Sequence, residues 1–555
     1  MKILVLGGYG VFGSRVCRLL LDDGFDVIVA GRSIAKAAAF VAKFGGTALA
    51  LDKSDATALR NALSGADVVI DAIGPFQAYR SSSIAELAIQ CGCHYLDLSD
   101  DADFTTAIST LDAQAKAVGV VVLSGVSTVP AISSAIVDAL SEGLAEITLI
   151  DTAILPGNRA PRGRSVMDAI LSQVGRPLAQ WRGGEWIETP AWSGAVTVGL
   201  PKGLNRPASP IGAPDLRLFP KRYAARSVLF RAGLELRTMH HGLRFFGWLH
   251  RLGFLPRLDK LTVPMLFAAK LLKGFGSDQG GMSVKVAGRT AQGTPVTRGW
   301  RLHMSQGRGP FVPSVPALIL VRHIAAGKVA PGAGPAMSCF TRAELEEVLS
   351  KLTGQFDGDV PDATPLFEAA LGADAWTKMP QSYRDGHDLW DRHEMVGSSS
   401  VTRGSGLAAR LIAALFRFPP ERAETPLRVT MERVGSKEVW TRNFDGQVFR
   451  SVLSPAGRGR LRERFGLFEF ELELPTARGE MQMIVRKGWF LGVPMPRWAL
   501  PVSETREFDQ DGRFQFDVRL SAPLAGFIVH YRGSLERADH SAASLGGSEG
   551  SLSLG

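Results

Sequence analysis

Residues 1–24 read MKILVLGGYGVFGSRVCRLLLDDG, and this stretch decides the fold of the first domain. Its apolar start, KILVLG, is typical of a short buried strand. The apolar residues that follow recur with helical spacing, and Gly24 is a typical helix stop. Between the two patterns lie four glycines, Gly7, Gly8, Gly10 and Gly13. Such a cluster either makes a tight turn only or lets a ligand approach the backbone closely.

The glycine cluster matches two spacings that bind dinucleotides. Residues 8–13 fit GxGxxG, and Gly7, Gly10 and Gly13 fit GxxGxxG. The cluster follows a strand and opens a helix, where the helix N-terminus and free N–H groups hold a pyrophosphate. We therefore predict a dinucleotide site, with a ligand-free turn as the alternative. Its predicted residues are Gly7, Gly8, Tyr9, Gly10, Val11, Phe12 and Gly13.

The end of the second predicted strand indicates which dinucleotide binds. An NAD site usually has Asp or Glu there to hold the ribose hydroxyls. The chain has VAGRS at residues 29–33 instead, without an acid. Arg32 and Ser33 suit a 2′-phosphate, because a guanidinium offers both charge and fork geometry. We predict NADP as the cofactor, with NAD as the alternative if Arg32 is only a solvated loop residue.

Four regions follow from the patterns along the chain. Strand and helix patterns alternate over residues 1–144, which predicts an α/β domain with a doubly wound, Rossmann-type parallel sheet. Residues 145–352 predict an α+β lobe for substrate binding or dimerisation, with a basic, amphipathic helical insertion at about 221–275. Residues 365–537 are β-rich and predict an antiparallel sheet or half-barrel with one apolar face. The Gly/Ser-rich residues 540–555 predict a disordered tail.

The net charge of +9 is concentrated in one segment. Residues 221–273 hold eleven basic and two acidic side chains, so the rest of the chain is neutral in sum. This argues against a nucleic-acid-binding protein and for a local anionic partner. Because Phe, Trp and Leu lie among the arginines, we predict contact with an anionic membrane surface. The alternative is a helical subdomain that packs on the core and has a basic rim.

Cysteine usage and the N-terminus indicate the compartment. The four cysteines, Cys17, Cys91, Cys93 and Cys339, form no CxxC pair, so neither a disulfide framework nor a structural zinc site is predicted. The N-terminus lacks a signal-peptide pattern, and no run of about 18 apolar residues predicts a spanning helix. We expect a cytoplasmic protein, with the inner face of the membrane as a second, peripheral location.

Several motifs resemble a known family. The stretch GPFQAYRSSSIAELAIQCGCHYLDLSDD is similar to the saccharopine dehydrogenase-like oxidoreductases. That family carries G-P-F/Y after its fourth strand and then H-Y-x-D-L, here Gly74-Pro75-Phe76 and residues 94–98. PGNRAPRGRS and GRGPFVPSVPALIL extend the likeness over about residues 1–350. Residues 365–537 resemble a domain of unknown function (DUF4166) that is found fused to such oxidoreductases, notably in WTRNFDG and GWFLGVPMP.

The resemblance implies nicotinamide-dependent redox chemistry on an unknown substrate rather than on saccharopine in particular. It also implies that Gly74, Pro75 and Phe76 line the ribose and nicotinamide side of the cofactor. A structural turn would explain Pro75 and Phe76 equally well.

Three residues are candidates for catalysis. Asp97 and Asp100 follow the fifth strand, at the sheet edge where ligands bind, and either would orient a substrate amine or hydroxyl. For Asp100 the alternative is a solvated helix N-cap. Arg159 lies in PGNRAPRGRS, which either clamps a carboxylate or phosphate or forms a charged surface loop. Tyr79 is discounted as a proton donor, because no lysine stands at Tyr-x-x-x-Lys spacing.

These observations together predict an NADP-dependent oxidoreductase acting on a small-molecule or lipid substrate. No metal site is predicted, because His387 and His393 do not share one helical face. The C-terminal domain is expected to bind an apolar ligand or to cover the site. Two alternatives stay open: a non-catalytic dinucleotide-binding sensor or scaffold at a membrane surface, and a lipid-handling protein whose nucleotide fold is a relic. A homodimer is also left open, and no nucleic-acid partner is expected.

Overall fold

The structure is a computed structural model that describes residues 1–79, 81–161, 163–523 and 525–538, without the side chains of Arg164, Ser165 and Asp259. The predicted tail at 540–555 lies outside the described residues. The chain divides into two compact units. The first unit comprises residues 1–181 and 186–360, and the second begins at residue 361 and includes 182–185.

The first unit begins with alternating strands and helices. They are β1 (Lys2–Leu6), α1 (Gly13–Asp22), β2 (Asp26–Gly31), α2 (Ile34–Phe44), β3 (Thr47–Ala50), α3 (Ala56–Ser64), β4 (Val68–Asp71), α4 (Ser83–Gln90), β5 (His94–Asp97), α5 (Ala102–Ala107), α6 (Asp112–Val118), β6 (Val121–Ser124) and α7 (Ser133–Ser141). The strands pair in parallel in the order β6-β5-β4-β1-β2-β3. This confirms the predicted Rossmann-type sheet.

The central strands of this sheet are buried on both faces. Ile3, Leu4, Val5 and Val69 are fully buried, which is why their sequence is continuously apolar rather than alternating. The inner face of α1 packs on the strands with Val16 and Leu20. The strands therefore all end at one edge, and the loops at that edge are the natural place for a ligand.

The rest of the first unit contains a second, mixed sheet, several helices and one strand that joins the first sheet. Its elements are β7 (Glu146–Leu155), α8 (Arg164–Leu171), β8 (Pro177–Arg182), β9 (Glu185–Pro190), β10 (Val196–Leu200), β11 (Leu204–Pro210), α9 (Asp215–Tyr223), β12 (Ser227–Gly233), α10 (Arg237–Arg251), α11 (Thr262–Leu271), β13 (Gly280–Arg289), β14 (Pro295–Met304), α12 (Val315–Ala325), β15 (Gly332–Pro335), α13 (Arg342–Lys351) and β16 (Gln355–Asp357). The central strand β7 pairs in parallel with β12 and antiparallel with β13.

Two details of this unit differ from the sequence expectations. The predicted helical insertion at 221–275 is not helical throughout, because the core strand β12 separates the end of α9 from the start of α10 at Arg237. The nucleotide sheet also gains a seventh strand from far along the chain, because β15 pairs in parallel with β6. The sheet is therefore not confined to residues 1–144.

The second unit is a β-barrel with short helices. Its elements are α14 (Leu366–Leu371), α15 (Ala373–Trp376), α16 (Gln381–His387), β17 (Arg392–Arg403), α17 (Leu407–Leu415), β18 (Arg422–Val434), β19 (Lys437–Phe444), β20 (Gln447–Pro455), β21 (Arg460–Phe465), β22 (Phe468–Glu473), β23 (Thr476–Ala477), β24 (Glu480–Phe490), β25 (Val493–Pro494), β26 (Val502–Gln510), β27 (Arg513–Ala522) and β28 (Gly526–Arg537).

Ten of these strands form a closed antiparallel ring. The order β22-β21-β20-β19-β18-β17-β28-β27-β26-β24 returns to its start because β22 also pairs with β24. The predicted antiparallel sheet is confirmed, and it closes completely rather than halfway. Closure leaves no edge in the ring and turns one face of every strand inward.

Candidate functional site

The glycine turn after β1 is packed so tightly that side chains do not fit. The N–H of Gly8 donates to Ala30 O at 3.0 Å, and the N–H of Gly10 donates to Gly7 O at 2.8 Å. A Cβ on Gly8 would lie 2.9 Å from Val29 Cγ1, and a Cβ on Gly13 would collide with Gly7 O. The glycines thus bring α1 against β1 and leave backbone exposed at the start of the helix, which fits a pyrophosphate.

The first turns of α1 offer positive charge at the glycine turn. The first turn holds no acidic residue. The Arg15 guanidinium donates to Val11 O, and its Nε–H is buried without a hydrogen-bond partner among the described residues. Burial, and secondarily the charge of Arg18, lowers the pKa of Arg15. A buried donor without a partner beside this turn suits a phosphate oxygen, and sequence reasoning missed it because Arg15 lies outside the glycine motif.

Tyr9 and Ser33 join the glycine turn to the end of β2. The Tyr9 hydroxyl accepts a hydrogen bond from the Ser33 N–H at 2.9 Å. A Cβ on Gly31 would lie 2.6 Å from Tyr9 Cε1, so the tyrosine ring covers that glycine. The Ser33 hydroxyl caps α2 by accepting from the Lys36 N–H at 3.4 Å. Ser33 therefore has a structural contact in addition to its predicted cofactor role.

Arg32 is exposed at the end of β2, where an NAD site usually has an acid. The Asp52 carboxylate after β3 has a lowered pKa, mainly because Ser54 donates to it and secondarily because of the charges of Arg32 and Lys53. Arg32 and Lys53 thus bring positive charge to this edge, next to the Asp52 carboxylate. Together with the glycine turn, they fit the extra phosphate of NADP better than a free ribose hydroxyl.

The loop after β4 carries Gly74, Pro75 and Phe76. Phe76 is buried, and its ring lies 4.9 Å from that of Tyr79 and 5.3 Å from that of Phe104. Phe76 is therefore held by an aromatic cluster, and Pro75 is half-buried beside it. Their contact with the cofactor stays a prediction.

Two carboxyl groups lie side by side at the same edge. Asp71 and Asp97 are paired residues at the ends of β4 and β5, and both are fully buried. Asp97 Oδ1 accepts hydrogen bonds from the Ser99 N–H, the Ser124 hydroxyl and the Gly125 N–H, each at 2.9 Å. Burial, with a smaller contribution from the Asp71 charge, raises the pKa of Asp97 to about 7 against these hydrogen bonds.

Tyr79 connects the buried carboxyl pair to the surface. Its hydroxyl donates to Asp71 Oδ2 at 2.9 Å. The Lys53 ammonium lies 3.7 Å from the centre of the Tyr79 ring. Burial raises the pKa of Asp71. Sequence reasoning discounted Tyr79 for lack of a local lysine, but the fold supplies Lys53 from the segment after β3. The one available signal was that Asp71 ends β4 as Asp97 ends β5.

Asp100, Arg159 and His387, the last with no predicted metal role, each have contacts of their own. Asp100 is exposed and accepts from Gln77 Nε2 at 3.1 Å. Arg159 is exposed on the loop after β7, where its N–H donates to Ser277 O at 2.9 Å. His387 belongs to the second unit, where its Nε2 lies 2.8 Å from Glu507 Oε2. Within the described residues, no group of three or more His, Cys, Asp or Glu side chains is arranged to hold a metal ion.

Two family models match parts of the chain. Residues 3–123 match the saccharopine dehydrogenase NADP binding domain, and residues 381–535 match a domain of unknown function (DUF4166). The first match covers the glycine turn, Arg32 and both buried aspartates. It confirms NADP as the predicted cofactor, and it indicates an NAD(P)-dependent oxidoreductase. No curated protein matches the chain.

Solved structures resemble parts of the chain at low identity. Apo saccharopine dehydrogenase (L-Glu forming) from Saccharomyces cerevisiae has 16% identity and a TM-score of 0.48, and the match covers 65% of this chain and 100% of that one. Yeast methylglyoxal/isovaleraldehyde reductase Gre2 with NADPH has 18% identity and a TM-score of 0.16 over 18% and 38% of the two chains. A short-chain dehydrogenase from Streptomyces avermitilis has 15% identity and a TM-score of 0.19 over 22% and 63%.

Proposed function

We propose that this chain is an NADP-dependent oxidoreductase that moves a hydride to or from a carbonyl or alcohol substrate, with Tyr79 and Asp71 handling the proton. One observation carries the proposal. β1 pairs with β4 and β4 pairs with β5, so Leu6, Asp71 and Asp97 lie in one row across the sheet. The glycine turn begins at the next residue, Gly7, and a dinucleotide site and a proton-handling cluster thus share one edge.

NADP, when bound, supplies or accepts the hydride. Gly7–Gly13 and Arg15 would hold its pyrophosphate, and Arg32 would hold its 2′-phosphate. In the reducing direction, the half-buried Tyr79 hydroxyl gives its proton to the substrate oxygen. Asp71, whose pKa is raised by burial, then returns a proton to Tyr79. Burial, and then the charge of Asp71, raises the pKa of Tyr79, so its hydroxyl releases the proton only as the substrate oxygen takes it up. The positive charge of Lys53, 3.7 Å from the ring centre, favours that transfer.

NADPH binding is the first test of this proposal. The nicotinamide fluorescence of NADPH is followed on titration with wild-type protein, Gly10→Val and Gly65→Val. A Cβ on Gly10 would lie 2.9 Å from Gly7 O, whereas a Cβ on Gly65 would have no neighbour closer than 3.8 Å. We expect Gly10→Val to lose about tenfold or more in affinity and Gly65→Val to bind as wild type. Equal binding by both variants, or no binding by wild type, would contradict the proposal.

The role of Tyr79 is tested separately. NADPH oxidation is measured with dodecanal and 2-dodecanone, in wild type and in Tyr79→Phe. Loss of a general acid is expected to lower kcat about 10²-fold or more. The affinity for NADPH should stay unchanged, because Tyr79 is not assigned to the phosphate site. A Tyr79→Phe variant with full kcat would remove Tyr79 from the mechanism.

A second candidate function is attachment to an anionic membrane surface through helices α10 and α11. Eight of the twelve exposed large apolar residues in the described part of the first unit lie between residues 245 and 275. Phe245, Trp248 and Leu252 follow one face of α10, and Val263, Phe267 and Leu271 follow one face of α11. We call these six residues the insertion surface. A surface helix normally turns polar residues outward, so this exposure favours an apolar partner.

Charge favours a membrane as that partner. Arg244, Arg251, Lys270 and Lys273 are exposed on the same two helices or directly after them. Aromatic side chains among basic ones suit the interface of an anionic bilayer. Within the part of the chain that the structure describes, no helix is long and apolar enough to span a membrane. Attachment through the insertion surface would therefore be peripheral.

Vesicle flotation tests the insertion surface. Wild type is mixed with phosphatidylcholine vesicles with and without phosphatidylglycerol. We expect co-flotation with the anionic vesicles, reduced several-fold in Phe267→Asp. Val118→Asp is the matched control, because Val118 is also exposed but lies in α6. Undiminished flotation of Phe267→Asp would contradict this candidate function.

A further inference from the structure

The barrel of the second unit encloses an apolar cavity of about 280 Å³. Inward-facing side chains from all around the ring line it, among them Phe465, Phe468, Phe470, Met483, Phe514 and Phe516. Protein interiors otherwise keep few voids larger than a water molecule. A volume near the lower end of the usual range of about 300–1,000 Å³ for ligand pockets suits one hydrocarbon chain.

One end of the barrel is closed by α14–α16. Phe367 of α14 is fully buried, and its ring lies 3.9 Å from that of His387 in α16. The turn before β21 is tied to α14, because the Gly459 N–H donates to Ala370 O at 2.7 Å. Packing and hydrogen bonding of the described residues thus close this floor.

The opposite end is rimmed by exposed apolar side chains. Nine of the ten exposed large apolar residues in the described part of the second unit lie there, and they include Leu407, Leu411, Leu415, Leu467, Leu491 and Trp498. These six residues are called the rim.

Ring contacts and a backbone hydrogen bond show that the rim belongs to one end. Phe416, just after α17, lies 5.9 Å from Phe465 and 5.2 Å from Phe468 on either side of Leu467. The Leu491 N–H donates to Leu467 O at 3.0 Å. Leu415 is 66% exposed and also lines the cavity, so the apolar surface is continuous from the outside inward.

The polar groups inside the cavity restrict its ligand. Arg442 Nη2 lies 3.5 Å from Glu463 Oε1, and Arg442 Nη1 donates to the Ser451 hydroxyl at 2.8 Å. Only 9% of Glu463 is exposed, and its Oε1 has no hydrogen-bond partner among the described residues. Glu507 is already paired with His387. Because Arg442, the one arginine or lysine among the described lining residues, is already matched by Glu463, an anionic head group would be repelled, whereas a hydroxyl can donate to Glu463.

We propose that this barrel binds one neutral, single-chain lipid alcohol, with its hydroxyl on Glu463 and its chain in the aromatic interior, and that the ligand enters across the rim. The proposal goes beyond the oxidoreductase function and does not require NADP. Its failure would leave the nucleotide titrations unaffected, so the two proposals can fail separately.

The ligand is tested by displacement of the fluorescent apolar probe N-phenyl-1-naphthylamine from the full chain. We expect hexadecan-1-ol to displace it at least about tenfold more effectively than palmitate. Val485→Trp, which fills the lining, should lose probe binding, whereas Gln482→Trp on the outer face of the same strand should keep it. Equal binding by these two variants, or no probe binding by wild type, would overturn the proposal.

Removing the charge of Glu463 gives a sharper test, because it should reverse the preference between the two ligands. In Glu463→Gln, Arg442 loses its counterion and the alcohol loses its anionic acceptor, so palmitate is expected to gain about tenfold and hexadecan-1-ol to weaken several-fold, which reverses the preference. A structural role for Glu463 alone would weaken both ligands together. Unchanged preference would overturn the assignment of the head group.

Entry across the rim predicts an effect on rate. Leu411→Asp should slow probe association several-fold in stopped flow. The equilibrium affinity for the probe should change by a smaller factor than the association rate. Val434→Asp is the control, since Val434 is exposed at the floor end of β18. Identical association rates in the two variants would overturn the rim as the entrance.

Discussion

Asp71 and Asp97 are paired neighbours across β4 and β5, and neither carboxyl group is exposed to solvent. Burial is the main reason that the pKa of each group is raised, and the charge of Asp71 adds to the effect on Asp97. Two adjacent buried carboxyl groups cannot both ionise cheaply. The pair therefore retains a proton close to neutral pH, which is the property that a proton-handling cluster beside a nucleotide site needs.

Asp97→Asn is expected to change the pH dependence of stability. The folded-state pKa of about 7 exceeds that of an unfolded aspartate, about 3.9. The folded state thus binds this proton more tightly, and the resulting stability is full at low pH and is lost as the pH rises towards 7. Because asparagine does not titrate, the stability of the variant does not fall in this way as the pH rises. Between pH 5.5 and pH 7, the free energy of unfolding of the variant should gain about 2 kcal/mol on that of wild type.

The measurement for Asp97→Asn is urea unfolding at both pH values, with the exposed Asp26→Asn as control. The control should follow wild type at each pH. A variant difference that is the same at pH 5.5 and pH 7 would show that Asp97 does not titrate in this range.

Local signals explain what the sequence could predict. The glycine turn, β1–β6 and the lack of an acid after β2 are encoded in short consecutive segments, where period and turn chemistry are readable. The strand β15 was missed because its four residues, Gly332–Pro335, have no strand propensity, and its pairing with β6 spans about two hundred residues.

Long-range contacts explain what the sequence could not predict. Closure of the barrel depends on the pairing of β22 with β24, which no alternating pattern specifies. In the site, Lys53 comes from the segment between β3 and α3, whereas Tyr79 follows β4. The raised pKa of Asp97 arises mainly from burial. Motif spacing encodes neither contacts between residues far apart in the sequence nor how deeply a residue is buried.

Arg32→Asp is expected to shift cofactor preference from NADP towards NAD. An aspartate at the end of β2 repels a 2′-phosphate and can accept a ribose hydroxyl. The Kd for NADPH should rise about tenfold or more, while the affinity for NADH increases or stays level. Both are measured by nicotinamide fluorescence. Arg60→Asp on α3 is the control, because Arg60 is also exposed and donates to Gln90. Equal loss in both variants would mean that net charge, rather than position, matters.

Gly13→Ala is expected to destabilise the nucleotide-binding domain. The added Cβ would collide with Gly7 O, which is backbone and cannot move aside without opening the turn. Overpacking of this kind costs about 1–3 kcal/mol. Thermal unfolding should show a lower midpoint, and NADPH binding should weaken. Gly65→Ala serves as the matched control, and a Gly13→Ala variant as stable as this control would refute the close packing of α1 on β1.

Phe367→Ala is expected to destabilise the barrel strongly. Phe367 is fully buried, and its ring lies 3.9 Å from His387 and 5.7 Å from Trp440. Removing it leaves a hole in the floor of the barrel and should lower the free energy of unfolding by about 3–5 kcal/mol. Leu407→Ala removes a large side chain at the other end that is 79% exposed, so it should cost no more than about 0.5 kcal/mol.

Urea unfolding of the full chain separates these two variants. NADPH binding reports the first unit independently, and it should be unchanged in both. If Phe367→Ala cost as little as Leu407→Ala, the floor would not be packed as described. The cavity would then be open at both ends, and the rim would lose its place as the single entrance.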